Sequence, residues 1–89
     1  MPQYTPPLRD MQFVMHELLD AVSVLKAIPR HAEIDADTLN AVLEEGGKFA
    51  AGVTAPLNLS GDAEGCCLDR ATHEVTTPKG FKEAYAQFV

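Results

Sequence analysis

Between Leu8 and Ile28 the apolar residues Met11, Val14, Leu18, Val22, Leu25 and Ile28 recur at steps of three or four. A helix with about 3.6 residues per turn gathers such a series into one stripe, which no strand can do. Phe13, Met15 and Leu19 broaden that stripe, while Arg9, Gln12, His16, Asp20, Ser23 and Lys26 fall on the wetter side. The spacing predicts a single helix of roughly 20 residues, a rod about 30 Å long. Thr5 or Asp10 is the candidate cap, Pro6 and Pro7 suit a helix start, and Pro29 closes the element.

A second helix is expected after a short polar link. Asp35-Ala36-Asp37-Thr38 offers capping side chains and negative charge where a helix N-terminus favours both, and Leu39, Val42, Leu43, Phe49, Ala50 and Val53 follow at helical spacing. Gly46 and Gly47 each cost about 1 kcal/mol relative to alanine inside such a helix, so they mark a close crossing or a bend. Pro56 normally ends the helix near Thr54, although Leu57 continues the stripe and leaves a kinked last turn open.

Asn58 to Thr76 reads as a loop, because Ser60-Gly61-Asp62 and Glu64-Gly65 are turn chemistry; His73 to Thr77 could be briefly extended. Thr77-Pro78-Lys79-Gly80 then reads as a cap with proline at the first helical position, and Phe81, Ala84, Tyr85 and Phe88 form a third stripe. That stripe is still running at Val89, with no terminal glycine or basic last turn, so the helix is expected to be interrupted. The fold class expected is all-α: residues 1–89 as one small domain, a bundle of about three amphipathic helices, two long and one truncated, with an irregular loop between the second and third.

Length and charge exclude several functions. A chain of 89 residues buries only ~60–65% of its unfolded surface, too little to enclose a large cofactor cavity. Thirteen acidic against seven basic residues leave a net charge of −6, and the stretch from Glu33 to Glu64 holds seven acids and only Lys48 in opposition. Nucleic-acid backbones and anionic membranes both require clustered cations, so neither partner is expected. No basic-then-apolar leader opens the chain and no window is long and apolar enough to span a bilayer, which makes it cytoplasmic by expectation. Cys66 and Cys67 are adjacent, whereas a disulfide wants Cα atoms roughly 5.5–6 Å apart, so free thiols in a reducing compartment are expected.

Few side chains group in a way that suggests chemistry. Cys66, Cys67 and His73 are the metal candidates, but a structural zinc site wants four ligands at chelating spacing and adjacent cysteines seldom share one ion. Asp62-Ala63-Glu64-Gly65 lacks the acidic alternation and distal glutamate of a calcium loop and reads as a turn. His16 and Asp20 stand one helical turn apart and could share a hydrogen bond. Ser60, Asp69 and His73 spell a hydrolase triad without the strained glycine-serine-glycine elbow that such a triad needs. No dinucleotide or phosphate-loop pattern occurs, and Gly46-Gly47 in mid-helix cannot cradle a phosphate. The apolar stripes remain, covered either by one another in a small bundle or by another chain or further sequence.

Several blocks carry a family resemblance: Pro7-Leu8-Arg9-Asp10-Met11-Gln12-Phe13-Val14, Val42-Leu43-Glu44-Glu45-Gly46-Gly47-Lys48-Phe49-Ala50, Ala55-Pro56-Leu57-Asn58, Asp62-Ala63-Glu64-Gly65-Cys66, and Thr76-Thr77-Pro78-Lys79-Gly80-Phe81-Lys82-Glu83-Ala84-Tyr85. In this order they resemble the start of the bacterial acyl-CoA dehydrogenases with an extended N-terminus, the group that includes the 3-methylmercaptopropionyl-CoA dehydrogenases. The likeness runs from Tyr4 to Val89. Gly52, Thr54 and Cys67 depart from it, which questions helix continuity near Val53.

The resemblance implies a partial N-terminal helical domain of an enzyme that binds FAD, oxidises an acyl-CoA across its Cα–Cβ bond and passes electrons to electron-transfer flavoprotein. It implies no catalytic, cofactor-binding or metal residue in this chain: the family's glutamate base and most flavin contacts lie far downstream, so Glu44, Glu45 and Glu83 inherit no role. The 89 residues alone are expected to bind no FAD and to catalyse nothing. A self-sufficient helical module that self-associates or binds a partner protein is the alternative, and a homo-oligomer through the exposed apolar faces is expected.

Overall fold

The computed structural model describes residues 3–89 and is largely all-α. Helix α1 spans Leu8–Gln12 and passes directly into a π-helical stretch, Phe13–Leu18; α2 spans Ala21–Lys26 and a 3₁₀ turn covers Pro29–His31. Helix α3 runs over Ala36–Phe49, a second π-helical stretch over Ala50–Thr54, and α4 over Ala55–Glu64. Strands β1 (Cys67–Leu68) and β2 (Val75–Thr76) pair antiparallel, Cys67 opposite Thr76 and Leu68 opposite Val75. Helix α5 covers Phe81–Phe88. The contacts group into two compact units, Thr5–Lys48 and Phe49–Val89, the latter with the first described residues.

In the Thr5–Lys48 unit, the single rod expected from Leu8 to Ile28 is broken. The Leu19 amide bonds to the Val14 carbonyl, a five-residue step at 2.9 Å, and Asp20 takes a left-handed conformation at φ 47°. The wider π turn spends an extra residue, and aspartate is one of the few side chains that tolerates the left-handed region, so the chain turns there and restarts at Ala21. Neither Thr5 nor Asp10 caps the start: Pro7 precedes Leu8 with no side-chain hydrogen bond. The Leu8 amide donates instead to the Pro6 carbonyl at 2.9 Å.

Helix α3 begins as its sequence predicts. The Thr38 amide donates to Asp35 Oδ1 at 2.7 Å, the N-cap bond three residues in. Of the two glycines expected at a crossing, Gly47 alone serves: a Cβ there would meet Leu8 Cδ2 and Pro6 Cγ at 3.3 Å, whereas nothing lies near Gly46.

In the Phe49–Val89 unit, helix continues through Pro56 to Glu64, past the end expected near Thr54 and into the segment expected to be loop. A proline ring in an α-helix clashes with the carbonyl four residues back. The π-helical stretch Ala50–Thr54 precedes that point and widens the turn on which the ring sits, and the helix passes with Pro56 in the first turn of α4. Continuity near Val53 is thus kept, at the cost of regular α geometry. The Asp62-Ala63-Glu64 segment, expected as a turn, is the last turn of α4, and Gly65 ends it at φ 68°, ψ 179°, a region only glycine enters freely.

The rest of the expected loop is a short hairpin. Asp69 Oδ1 accepts from the Ala71 amide at 2.9 Å, the Asp69 amide donates to the Glu74 carbonyl at 2.8 Å, and His73 adopts φ 65°. The brief extension expected near His73 is Val75–Thr76. Helix α5 starts at Phe81, so exposed Thr77 and buried Pro78 lie ahead of a turn at Lys79 and Gly80 instead of capping the helix, and Gly80 at φ 93° is the residue before the first turn.

Candidate functional site

Helix α4 and the start of α5 make close contact. A Cβ on Gly61 would lie 2.5 Å from the Phe81 ring, and a Cβ on Gly80 would lie 2.7 Å from a Leu57 methyl. Each glycine thus yields its side-chain volume to an apolar group of the facing segment. The main-chain amide of Lys79 donates to Glu64 Oε2, which ties the entry of α5 to the end of α4. Farther along, the rings of Phe49 and Phe88 sit with centroids 5.8 Å apart, tilted by 50°. Such a pair contributes about 0.5 kcal/mol beyond its buried area where, as here, one ring is largely exposed.

Between these contacts lies a groove of about 450 Å³ lined by Phe49, Thr54, Leu57, Asn58, Phe81, Ala84, Tyr85 and Phe88. Its polar atoms are the Thr54 and Tyr85 hydroxyls and the Asn58 amide, and the Thr54 hydroxyl already donates to the Ala50 carbonyl at 3.2 Å. Thr54 and Asn58 also border a second hollow of about 790 Å³ lined by Gln3, Tyr4, Ala50, Ala55 and Leu59. No carboxylate, imidazole, thiol or amine lines either. Their chemistry is that of contact with apolar surface.

The residues weighed from sequence are dispersed. His16 Nε2 meets Asn40 Oδ1 at 2.7 Å and makes no bond with Asp20, which sits beyond the end of the π turn. Ser60 Oγ donates to the Leu57 carbonyl, Asp69 holds the hairpin turn, and His73 lies in that turn, so the three letters of a triad do not converge. Cys66 and Cys67 are exposed and unbridged. Among the described residues no three His, Cys, Asp or Glu side chains come together as metal ligands, and no helix is long and apolar enough to cross a membrane.

Two titrating groups are displaced from their ordinary values, both exposed. The Thr38 hydroxyl and amide hold the Asp35 carboxyl down, and Glu45, 3.0 Å from Lys48 Nζ, holds that ammonium up. They are a helix cap and a surface ion pair.

Neither groove carries a cation among its lining residues, whereas a third hollow, lined by Leu57, Ser60, Ala63, Glu64, Lys79 and Gly80, has one beside the Glu64 carboxylate that already takes the Lys79 amide. Sequence reasoning had placed Phe49, Leu57, Phe81, Ala84, Tyr85 and Phe88 on apolar stripes without showing that they converge. Gly61, read as turn chemistry, gave no sign that it seats an aromatic ring.

No family model matches the chain. It is similar to the 3-methylmercaptopropionyl-CoA dehydrogenase of Ruegeria pomeroyi, 40% identical over 86 residues. That match takes in 97% of this chain and 14% of the relative's length. The likeness carried by the ordered blocks is therefore a finding, over a small part of a much longer enzyme.

Proposed function

We propose that this chain is the N-terminal helical segment of an FAD-dependent acyl-CoA dehydrogenase of that group, and that it contributes packing surface without supplying reacting groups. One observation supports the reading above others: the identity extends over nearly all of this chain but over 14% of the relative. In the whole enzyme FAD would accept hydride as an acyl-CoA becomes its 2,3-enoyl-CoA, a step of fatty acid metabolism in the cytoplasm, and electron-transfer flavoprotein would take the electrons. This segment would cover the flavin and acyl chain with helix, and its apolar grooves would face the rest of that enzyme. Alone it would have no dehydrogenase activity.

The test is direct. The purified chain is mixed with FAD, passed through gel filtration and assayed with an acyl-CoA and a dye acceptor. The expected result is a colourless protein peak and no dye reduction. A yellow peak with substrate-dependent reduction would overturn the proposal.

The second reading, a helical module that self-associates or binds a partner, is favoured by the exposure of Leu18, Val42, Leu59, Tyr85 and Phe88. Large apolar side chains left in water at this density are contact surface awaiting a cover. Size-exclusion chromatography over a range of concentrations tests it, and one unchanging monomeric mass would oppose it.

A further inference from the structure

The break at Asp20 changes which face of the Leu8 to Lys26 segment turns inward. Ahead of it Leu8, Gln12, Met15 and His16 are the half-buried residues, whereas Met11, Val14 and Leu18 are 39%, 40% and 67% exposed. Beyond it the half-buried residues are Ala21, Val22 and Leu25. On an unbroken α-helix, at about 100° per residue, Met11, Val14, Leu18, Val22 and Leu25 share an arc of roughly 80°, and Gln12 and His16 lie more than about 100° from its middle. The two halves are thus out of phase by about one residue, the displacement that one inserted residue produces. We infer that this segment is a two-register switch. Besides the broken form it adopts one continuous helix, in which Met11, Val14 and Leu18 turn inward in line with Val22 and Leu25 and His16 leaves Asn40.

Each register keeps something that the other gives up. The broken form holds the hydrogen bond between His16 Nε2 and Asn40 Oδ1 at 2.7 Å, a polar link to α3. It also holds Asp20, a residue with a Cβ, at φ 47°, ψ 52°, with no side-chain bond to cap α2. The continuous form loses the His16 link and frees Asp20 from the left-handed region. It also gives the Ala21, Val22 and Ser23 amides the carbonyls four residues back, which the first turn of a separate helix lacks. Neither glycine nor proline stands between Leu8 and Ile28 to forbid it. Leu18, Leu19 and Val24 are exposed around the break, so straightening sacrifices little packing. A turn of one half-helix by about 100° therefore exchanges two discrete arrangements, the property a switch requires. An apolar surface that covers Met11, Val14 and Leu18 from outside holds the broken register, because the continuous helix withdraws that stripe.

Amide hydrogen exchange of the 89-residue chain, read residue by residue by NMR, tests the switch. Asp20→Ala removes a side chain that tolerates the left-handed region and installs the best helix former. It is expected to slow exchange of the Ala21, Val22 and Ser23 amides by at least about tenfold. It should also raise helical circular dichroism and shift the His16 ring signals as the Asn40 bond is lost. Asn40→Leu, which removes the partner of His16 on α3, should act in the same direction. Asp20→Gly, which enters the left-handed region freely, should leave those three amides as fast as in the parent. Exchange as fast in Asp20→Ala as in the parent overturns the inference, and so does a fall in helicity in either Asp20→Ala or Asn40→Leu. Equal slowing in Asp20→Gly and Asp20→Ala also overturns it, because a gain shared by both would not come from the change of register.

Discussion

The two π-helical stretches of this chain meet different fates. Phe13–Leu18 ends in a break at Leu19 and Asp20, whereas Ala50–Thr54 continues into ten residues of α4. Both widen the helix by one residue per turn, and both precede a residue poorly suited to helix interior. The difference lies in what packs on the next turn. Beyond Thr54, Leu57 and Gly61 are pressed by Gly80 and the Phe81 ring, and those contacts repay the irregular hydrogen bonding. Around the first break, Leu18, Leu19 and Val24 are exposed and supply no such contact. A π turn thus stays within a helix where close packing follows it and ends the helix where none does.

The strongest way to break this comparison is Gly80→Ala. The left-handed φ of 93° penalises any Cβ, and that Cβ would fall 2.7 Å from Leu57. Left-handed strain of about 1–2 kcal/mol plus overpacking of at least about 1 kcal/mol gives an expected loss of about 2–3 kcal/mol in urea unfolding. Gly61→Ala follows. Its Cβ would displace the Phe81 ring, costing about 2 kcal/mol as overpacking, while alanine returns about 1 kcal/mol of helix propensity, for a net loss near 1 kcal/mol. The displaced ring should lower near-ultraviolet ellipticity while helicity holds. If both substitutions proved neutral, packing on α4 would not be what carries the helix past Thr54.

Asp20→Gly sharpens the other side of the comparison. Glycine enters the left-handed region without steric cost but loses more freedom on folding, so a gain of about 0.5 kcal/mol is expected. A larger loss would mean that the aspartate side chain, and not the turn geometry, holds the break.

The smallest effect concerns Asp35, whose carboxyl is held below its ordinary value by Thr38. Because its folded value is depressed, the stabilisation is present above the unfolded value of 3.8 and is lost as pH falls through the still lower folded value. Asp35→Ala should slightly reduce helicity at neutral pH and remove that part of the acid dependence; an identical acid transition in parent and variant would exclude the cap as its source.

Legibility in the sequence varied with the range of the interactions involved. Helix α3 was readable because its signals are local: Asp35 reaches an amide three residues away, and the stripe through Leu39, Val42 and Leu43 repeats within two turns. The groove was readable only as a set of apolar positions, since Phe49 and Phe88 are far apart in the chain and neither stripe names the other. Gly61 and Pro56 were read by their ordinary habits, as turn and helix end, because the contacts that override those habits come from Phe81 and from a widened turn.

By itself, then, the sequence determined the helical class, the apolar stripes, the start of α3 and the likeness to an acyl-CoA dehydrogenase, all of which depend on residue types in a fixed order. Tertiary structure alone decided the break at Asp20, the passage through Pro56, the start of α5 at Phe81 and the convergence of aromatic residues on one groove. A sparsely populated backbone conformation costs about 1–3 kcal/mol over its ordinary rival. Close contacts between residues distant in sequence are enough to choose between them along α4 and α5, and the lack of such contacts leaves the helix broken at Asp20.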